Sequence, residues 1–224
     1  MTGSMSGRTI LLAGGTSMAG RAAAQTLLDA GAHVVVAGHD PEKTDVLAGS
    51  LAGMVAEVCD LTNEAGVAAL AERVHDRLGP VDGILHLVGG WRGGGGLAGQ
   101  TDDDFRFLES SLTALRLVSR EFDADVRAST AGREAIVSST AVARPLAGGA
   151  NYAAVKAASE AWMRAVAQGF AKAARDAGEP LRAASVIFRV KALAGLEETL
   201  ADTYLGLFSQ DAAAVNDTVI DLST

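Results

Sequence analysis

Hydrophobic positions along this chain arrive as short apolar runs separated by longer amphipathic stretches. From Arg8 onward each apolar run gives way to a Gly or Asp, then to an Ala- and Leu-rich stretch with helical spacing, then to the next run. That alternation predicts βαβ units and a parallel sheet. Strands are predicted near 8–13, 33–38, 53–58, 82–88, 133–139, 182–188 and 217–222, with helices near 17–30, 41–50, 63–78, 101–127, 150–177 and 195–208. The fold class is therefore α/β: a doubly wound three-layer sandwich on a seven-stranded parallel sheet. Pro80, Pro145 and Pro180 all fall in connections, where a missing N–H costs least. Gly89-Gly90-Trp91-Arg92-Gly93-Gly94-Gly95-Gly96 follows a predicted strand and reads as a loop. Met1 to Gly7 have neither a basic start nor an apolar core, and are expected to form a short disordered leader. Residues 8–224 are expected to form a single domain.

Composition adjusts this picture in three respects. Of the 224 residues 49% are hydrophobic but only 4% aromatic, so the interior must be filled by Ala, Val and Leu, as in parallel sheets covered by Ala-rich helices. The net charge of −8, with basic residues scattered along the chain, argues against a nucleic-acid or anionic-membrane partner. The one cysteine, Cys59, excludes an intrachain disulfide and a Cys-based metal cluster, so no metal site is expected and a reducing, cytoplasmic location is. No apolar run approaches membrane-spanning length.

Two stretches carry chemistry. The first predicted strand ends in Ala13-Gly14-Gly15-Thr16-Ser17-Met18-Ala19-Gly20 and feeds a helix. Glycines there let the backbone turn tightly and approach a pyrophosphate at a helix N-terminus, where free N–H groups and the dipole favour anions. Without a ligand, the same residues make only a tight turn. Tyr152-Ala153-Ala154-Val155-Lys156 sets a phenol and an ammonium four residues apart, on one helix face. A phenol titrates near pH ~10 and needs a neighbouring positive charge to work as an acid–base group at neutral pH. Lys156 is placed to supply it and to reach a cofactor ribose.

The spacing Gly14-x-x-x-Met18-x-Gly20, with the Tyr152/Lys156 pair far downstream, resembles the short-chain dehydrogenase/reductase family from Arg8 to Ser223. The resemblance implies a Rossmann-type dinucleotide-binding and catalytic domain, with Gly14, Thr16, Ser17, Met18 and Gly20 beside the cofactor. Met18 stands where the family has its middle glycine and would narrow the backbone's approach. Asp60-Leu61 matches the family's adenine-binding acidic residue and its neighbour; read alone, such an Asp is the N-cap of the next helix, and both roles are compatible. At the end of the second strand the chain has Gly38 then His39, with no carboxylate at the NAD-selecting position, so NADP is preferred over NAD. Val88, Gly89 and Gly90 take the place of the small residues that border the cofactor ribose, and His86 and Leu87 replace the family's asparagines. Gly89-Gly90-Trp91 is similar to the dihydropteridine reductase branch. Trp91 either closes over the nicotinamide or a planar substrate, or caps the core at the strand end. His86, in an apolar run, reads as a hydrogen-bonded core residue.

The fifth strand ends in Ser138-Ser139, and Ser139 precedes Tyr152 by the family's interval. The resemblance implies that Ser139 donates to the substrate oxygen and that Ser138 lies near the nicotinamide. Ser111 falls where the family has an asparagine that holds a proton-relaying water; otherwise it lies on a solvated helix face. After the sixth strand the family's Pro-Gly is missing, so the site is expected to be comparatively open, or closed instead by the loop from Trp91 to Gln100. Together these readings imply an NAD(P)-dependent oxidoreductase acting on a small carbonyl or alcohol substrate. Tyr152, Ser139, Lys156 and Ser111 form its catalytic set. The alternatives are a dihydropteridine reductase-like enzyme and a non-catalytic nucleotide-binding or scaffold member. A homodimer or homotetramer through helices 101–127 and 150–177 is also expected.

Overall fold

In a computed structural model describing residues 5–223, the predicted alternation becomes one sheet of seven parallel strands. These are β1 (Thr9–Ala13), β2 (His33–Gly38), β3 (Val55–Val58), β4 (Gly83–His86), β5 (Arg133–Ser139), β6 (Ala184–Val190) and β7 (Thr218–Asp221), ordered β3-β2-β1-β4-β5-β6-β7. The helices are α1 (Met18–Asp29), α2 (Pro41–Ser50), α3 (Glu64–Leu78), α4 (Asp102–Ala128), α5 (Ala150–Ala177), α6 (Glu197–Leu207) and the single turn α7 (Ala212–Val215). Side chains alternate across the pleat, so both faces of each central strand are apolar. Ile10, Leu12, Val34 and Val36 pack with α1, α6 and α7. Leu11, Ala13, Val35 and Ala37 pack with α3 and α4 on the other face. This is the Rossmann-like α/β sandwich. Strand order reverses between β1 and β4, and a crevice opens beyond the carboxyl ends of the strands at such a switch point.

Several boundaries differ from the sequence reading, each for a local reason. Met5, within the stretch expected to be a disordered leader, is 1% exposed, and its amide donates to the Ala30 carbonyl at 3.0 Å. Residues 1–4 lie outside the described residues. β3 starts at Val55 because Gly53, at φ 91°, turns the chain just before it. β4 stops at His86; Leu87 N–H still reaches the Ala13 carbonyl at 2.7 Å, and the backbone then leaves the sheet. β6 runs two residues later than predicted, because it pairs with β5 up to Ser139↔Val190. Asn63, not Asp60, caps α3, its Oδ1 accepting from Gly66 N–H at 2.9 Å. Asp60 instead accepts from the Thr62 amide at 2.9 Å and hydroxyl at 2.7 Å.

Candidate active site

The carboxyl ends of β1, β4, β5 and β6 surround a cleft of about 1010 Å³. Its floor at β5 is set by strand register, which carries Ser138 and Ser139 to the last two positions of a seven-residue strand. Ser139 then turns the chain, its Oγ accepting from Ala141 N–H at 3.1 Å. The loop from there returns as α5, whose first turn presents Tyr152 and whose second presents Lys156. Both face the cleft beside Ser139.

Burial pushes the Tyr152 phenol above its ordinary value, and the Ser139 hydroxyl, hydrogen-bonded to it, pulls it part of the way back. Lys156 is held by the end of β5. Its Nζ is 5.9 Å from the Tyr152 ring centroid and donates to the Val137 carbonyl at 2.8 Å. Burial lowers the ammonium to about 8, against the opposing pull of Glu160. A cation of this kind is easily neutralised, because desolvation penalises its charged form.

Glu160, one turn beyond Lys156, went unnoticed in the sequence. It is 4% exposed and accepts from Ser138 Oγ at 2.7 Å, and from Arg189 Nε and Nη2 at 2.8 and 2.6 Å. Burial pushes its carboxyl up, but the Arg189 and Ser138 hydrogen bonds outweigh that and hold it below its ordinary value. This bidentate pair ties α5 to β6 directly behind the serines. Nothing in the local sequence signals it, since its partners lie 22 and 29 residues away.

A second polar group sits under Lys156. His86 is 4% exposed, and its Nε2 lies 3.3 Å from the Ser111 carbonyl, so that nitrogen carries the proton. Burial holds its pKa near 3, which keeps the ring neutral, and Nδ1 is buried with no partner. His86 borders a void of about 10 Å³ shared with Ser111, Ser159 and Lys156, close to the room one water needs. Ser111 is therefore buried, 8% exposed, with its hydroxyl donating to the Leu108 carbonyl at 2.7 Å. His86 is the core residue the sequence indicated, but with one ring nitrogen left over.

The candidate residues separate into four groups. Ser17, Val88, Gly89, Gly90, Ser138, Ser139, Tyr152 and Lys156 share the main cleft. Thr16, Ser17 and Met18 line an adjoining groove of about 330 Å³ with Arg21 and Lys43. Met18 is 76% exposed, so its side chain stands clear of the turn. His39, Asp60 and Leu61 line neither space. Gly14 and Gly20 shape the turn itself. Gly14 has φ 76° and a Cβ there would meet Val88 N at 2.7 Å; one on Gly20 would lie 1.9 Å from the Gly15 carbonyl oxygen. Ser17 caps α1, accepting from Gly20 N–H at 3.2 Å.

Two segments shape the mouth, the loop after β4 named in the sequence reading and a stretch after β6 that it did not name. The loop after β4 is pinned across the cleft by Gly94 N–H to the Gly148 carbonyl at 2.7 Å and by Gln100 Nε2 to the same oxygen at 3.1 Å, with Trp91 61% exposed in the lining. Val190 to Leu193, after β6, form the opposite wall. Among the described residues no group of acidic, His or Cys side chains could hold a metal ion, and no helix is long and apolar enough to cross a membrane.

The sequence pattern described as short chain dehydrogenase matches residues 8–174. Over 91 residues the chain is 37% identical to the polyketide synthase GfsA of Streptomyces halstedii, covering 37% of this chain and 1% of that protein. It is 27% identical over 158 residues to 2,3-dihydro-2,3-dihydroxybenzoate dehydrogenase of Bacillus subtilis strain 168, covering 68% of this chain and 60% of that enzyme. The chain thus matches less than two thirds of the length of either relative. Among solved structures, an NADPH-bound short chain oxidoreductase of Pseudomonas aeruginosa PAO1, described as containing an atypical catalytic center, superposes with a TM-score of 0.82 at 20% identity, over 96% of this chain and 95% of that one. At that identity the likeness speaks for the fold.

Proposed function

The chain belongs to the short-chain dehydrogenase family, and from that membership we propose that it is an NADP-preferring oxidoreductase interconverting a carbonyl and an alcohol. The observation that carries the proposal is the convergence of Ser139, Tyr152 and Lys156 on one cleft that reaches Ser17 at the glycine turn. The residues present fit a dinucleotide. A Cβ at Gly14 would collide with Val88 after β4 and one at Gly20 with Gly15 of the turn itself, and Ser17 borders both the main cleft and the groove beside α2. On this reading the pyrophosphate lies at the N-terminus of α1, the nicotinamide half beside Val88, Gly89 and Ser138, and the adenosine half toward His39 and Asp60. NADP is favoured because Gly38 offers no carboxylate to a ribose 2′-hydroxyl and Arg21 and Lys43 flank the adjoining groove. The NADPH carried by the Pseudomonas relative is in keeping with this choice.

A reduced nicotinamide in that position supplies the hydride for a carbonyl carbon. The protein's part is to handle the oxygen. Ser139 donates a hydrogen bond to it, stabilising the developing negative charge. Tyr152 passes it the phenolic proton, so that carbonyl, hydride and proton together give the alcohol. Lys156, now bonded to the Val137 carbonyl, would be the residue to hold the cofactor ribose, and its charge would stabilise the phenolate left behind. General acid catalysis of this sort contributes about 10²–10⁴-fold. Tyr152→Phe should therefore keep NADPH affinity within a factor of about two by fluorescence titration while losing at least ~10²-fold in kcat. Undiminished turnover of a ketone by that variant would refute the assignment.

A further inference from the structure

The cleft is opposite in charge to the molecule that contains it. The chain has 27 Asp and Glu against 19 Lys and Arg, yet Arg144, Lys156 and Lys191 line the cleft and no carboxylate does. Lys156 is engaged by the Val137 carbonyl. The side chains of Arg144 and Lys191 are exposed, and among the described residues neither has an ion-pair or hydrogen-bond partner. Arg144 stands in the loop that leads from Ser139 to Tyr152. Lys191 directly follows Val190, the residue paired with Ser139 across β5 and β6. The two cations thus flank the reacting end of β5. Trp91, Leu146 and Leu193 supply apolar lining around them.

The cofactor's phosphates do not account for this pair. The pyrophosphate position belongs to the turn after β1, whereas Arg144 follows β5 and Lys191 follows β6, two and three strands away in the sheet. At roughly 4.8 Å per strand that separation is about 10–14 Å. We propose that the substrate is a carbonyl compound with an apolar body and a carboxylate, the carboxylate held by Arg144 with Lys191 reinforcing it while the carbonyl faces Ser139 and Tyr152. The proposal rests on the oxidoreductase reading above. A guanidinium suits the planar carboxylate because it donates two parallel hydrogen bonds.

The test is calorimetric titration of the NADP-saturated protein with 4-acetylbenzoate and with 4-acetylbenzamide, which share shape and carbonyl but differ in charge. The carboxylate should bind at least ten-fold more tightly, and the ratio should fall to about one in the double variant Arg144→Gln/Lys191→Gln. Equal affinities, binding of neither compound, or a preference that survives the double variant would overturn the proposal. Titration with NADP alone comes first. Its failure would bring down the oxidoreductase reading and this proposal with it, whereas NADP binding without a carboxylate preference would overturn this proposal only.

Discussion

At the scale of single residues, the site's proton chemistry depends on which group titrates first. Burial raises Tyr152 and lowers Lys156 to about 8, so the ammonium and not the phenol is the group that changes charge just above neutrality. Lys156 is charged below that value. The kcat/KM for carbonyl reduction should therefore be level near pH 7 and decline above about pH 8, and Lys156→Arg, which stays charged, should move that decline up by more than one unit while lowering the maximum rate. A profile unchanged by the arginine would assign the ionisation elsewhere. The residues that converge on the cleft were legible in sequence because Ser139, Tyr152 and Lys156 sit at fixed intervals on a strand end and one helix face. The groups that support them were not. Glu160, Arg189 and the unpaired His86 nitrogen acquire meaning only when α5, β6 and α4 are brought together, and Arg144 and Lys191 stand out only against a cleft lining without carboxylates.

At the scale of elements, the contact between β5 and α4 contains a carboxyl that the fold tolerates at some cost. Glu134 is 1% exposed, hydrogen-bonded by the Ser119 hydroxyl, with Oε2 buried and unpartnered. Burial raises it to about 7 despite Ser119. Because its folded value lies above the unfolded one, near ~4.3, the carboxyl is neutral in both states at low pH and the fold pays nothing there. The penalty grows as pH rises from the unfolded value toward 7 and is complete above it. Glu134→Gln should accordingly be more stable than the parent at pH 8, by up to roughly 3 kcal/mol, with the gap closing below about pH 4.5. Urea denaturation at the two pH values measures this, and a gap independent of pH would show that the carboxylate is not the cause. Element types and order were readable from hydrophobic period alone, since each strand is a compact apolar run and each long helix a clear amphipath. The misplaced ends have other origins. β6 is extended by pairing with β5, and α3 is capped by Asn63 because Asp60 satisfies Thr62 first, so neither end is encoded by its own residues.

At the scale of the whole molecule, α4 and α5 lie side by side, and their outer surface bears on the state of association. On α5 the exposed residues Ala154, Ala158, Ala161 and Ala165 follow one another at helical spacing on a single stripe. Beside them Trp162 is half-buried, beneath the Arg116 guanidinium 5.5 Å from its ring centroid, and its Nε1 is without a partner. Small side chains allow two helices to approach closely, and a two-fold axis over this stripe would set it against its own copy. The expected outcome is a dimer, or a tetramer built from it, so light scattering at micromolar concentration should give a small even multiple of 22.8 kDa. Ala158→Arg would place two like charges across such an axis and should yield the monomer mass. The same substitution also probes the active site, because Tyr152 and Lys156 project from the opposite face of α5. If pairing stiffens that helix, the arginine variant should lose several-fold in kcat and its melting temperature should cease to depend on protein concentration, as it must for the parent if association stabilises the fold. A parent that remains monomeric, with a melting temperature independent of concentration, would show instead that α5 is held rigid by its own sheet, through the Glu160–Arg189 pair.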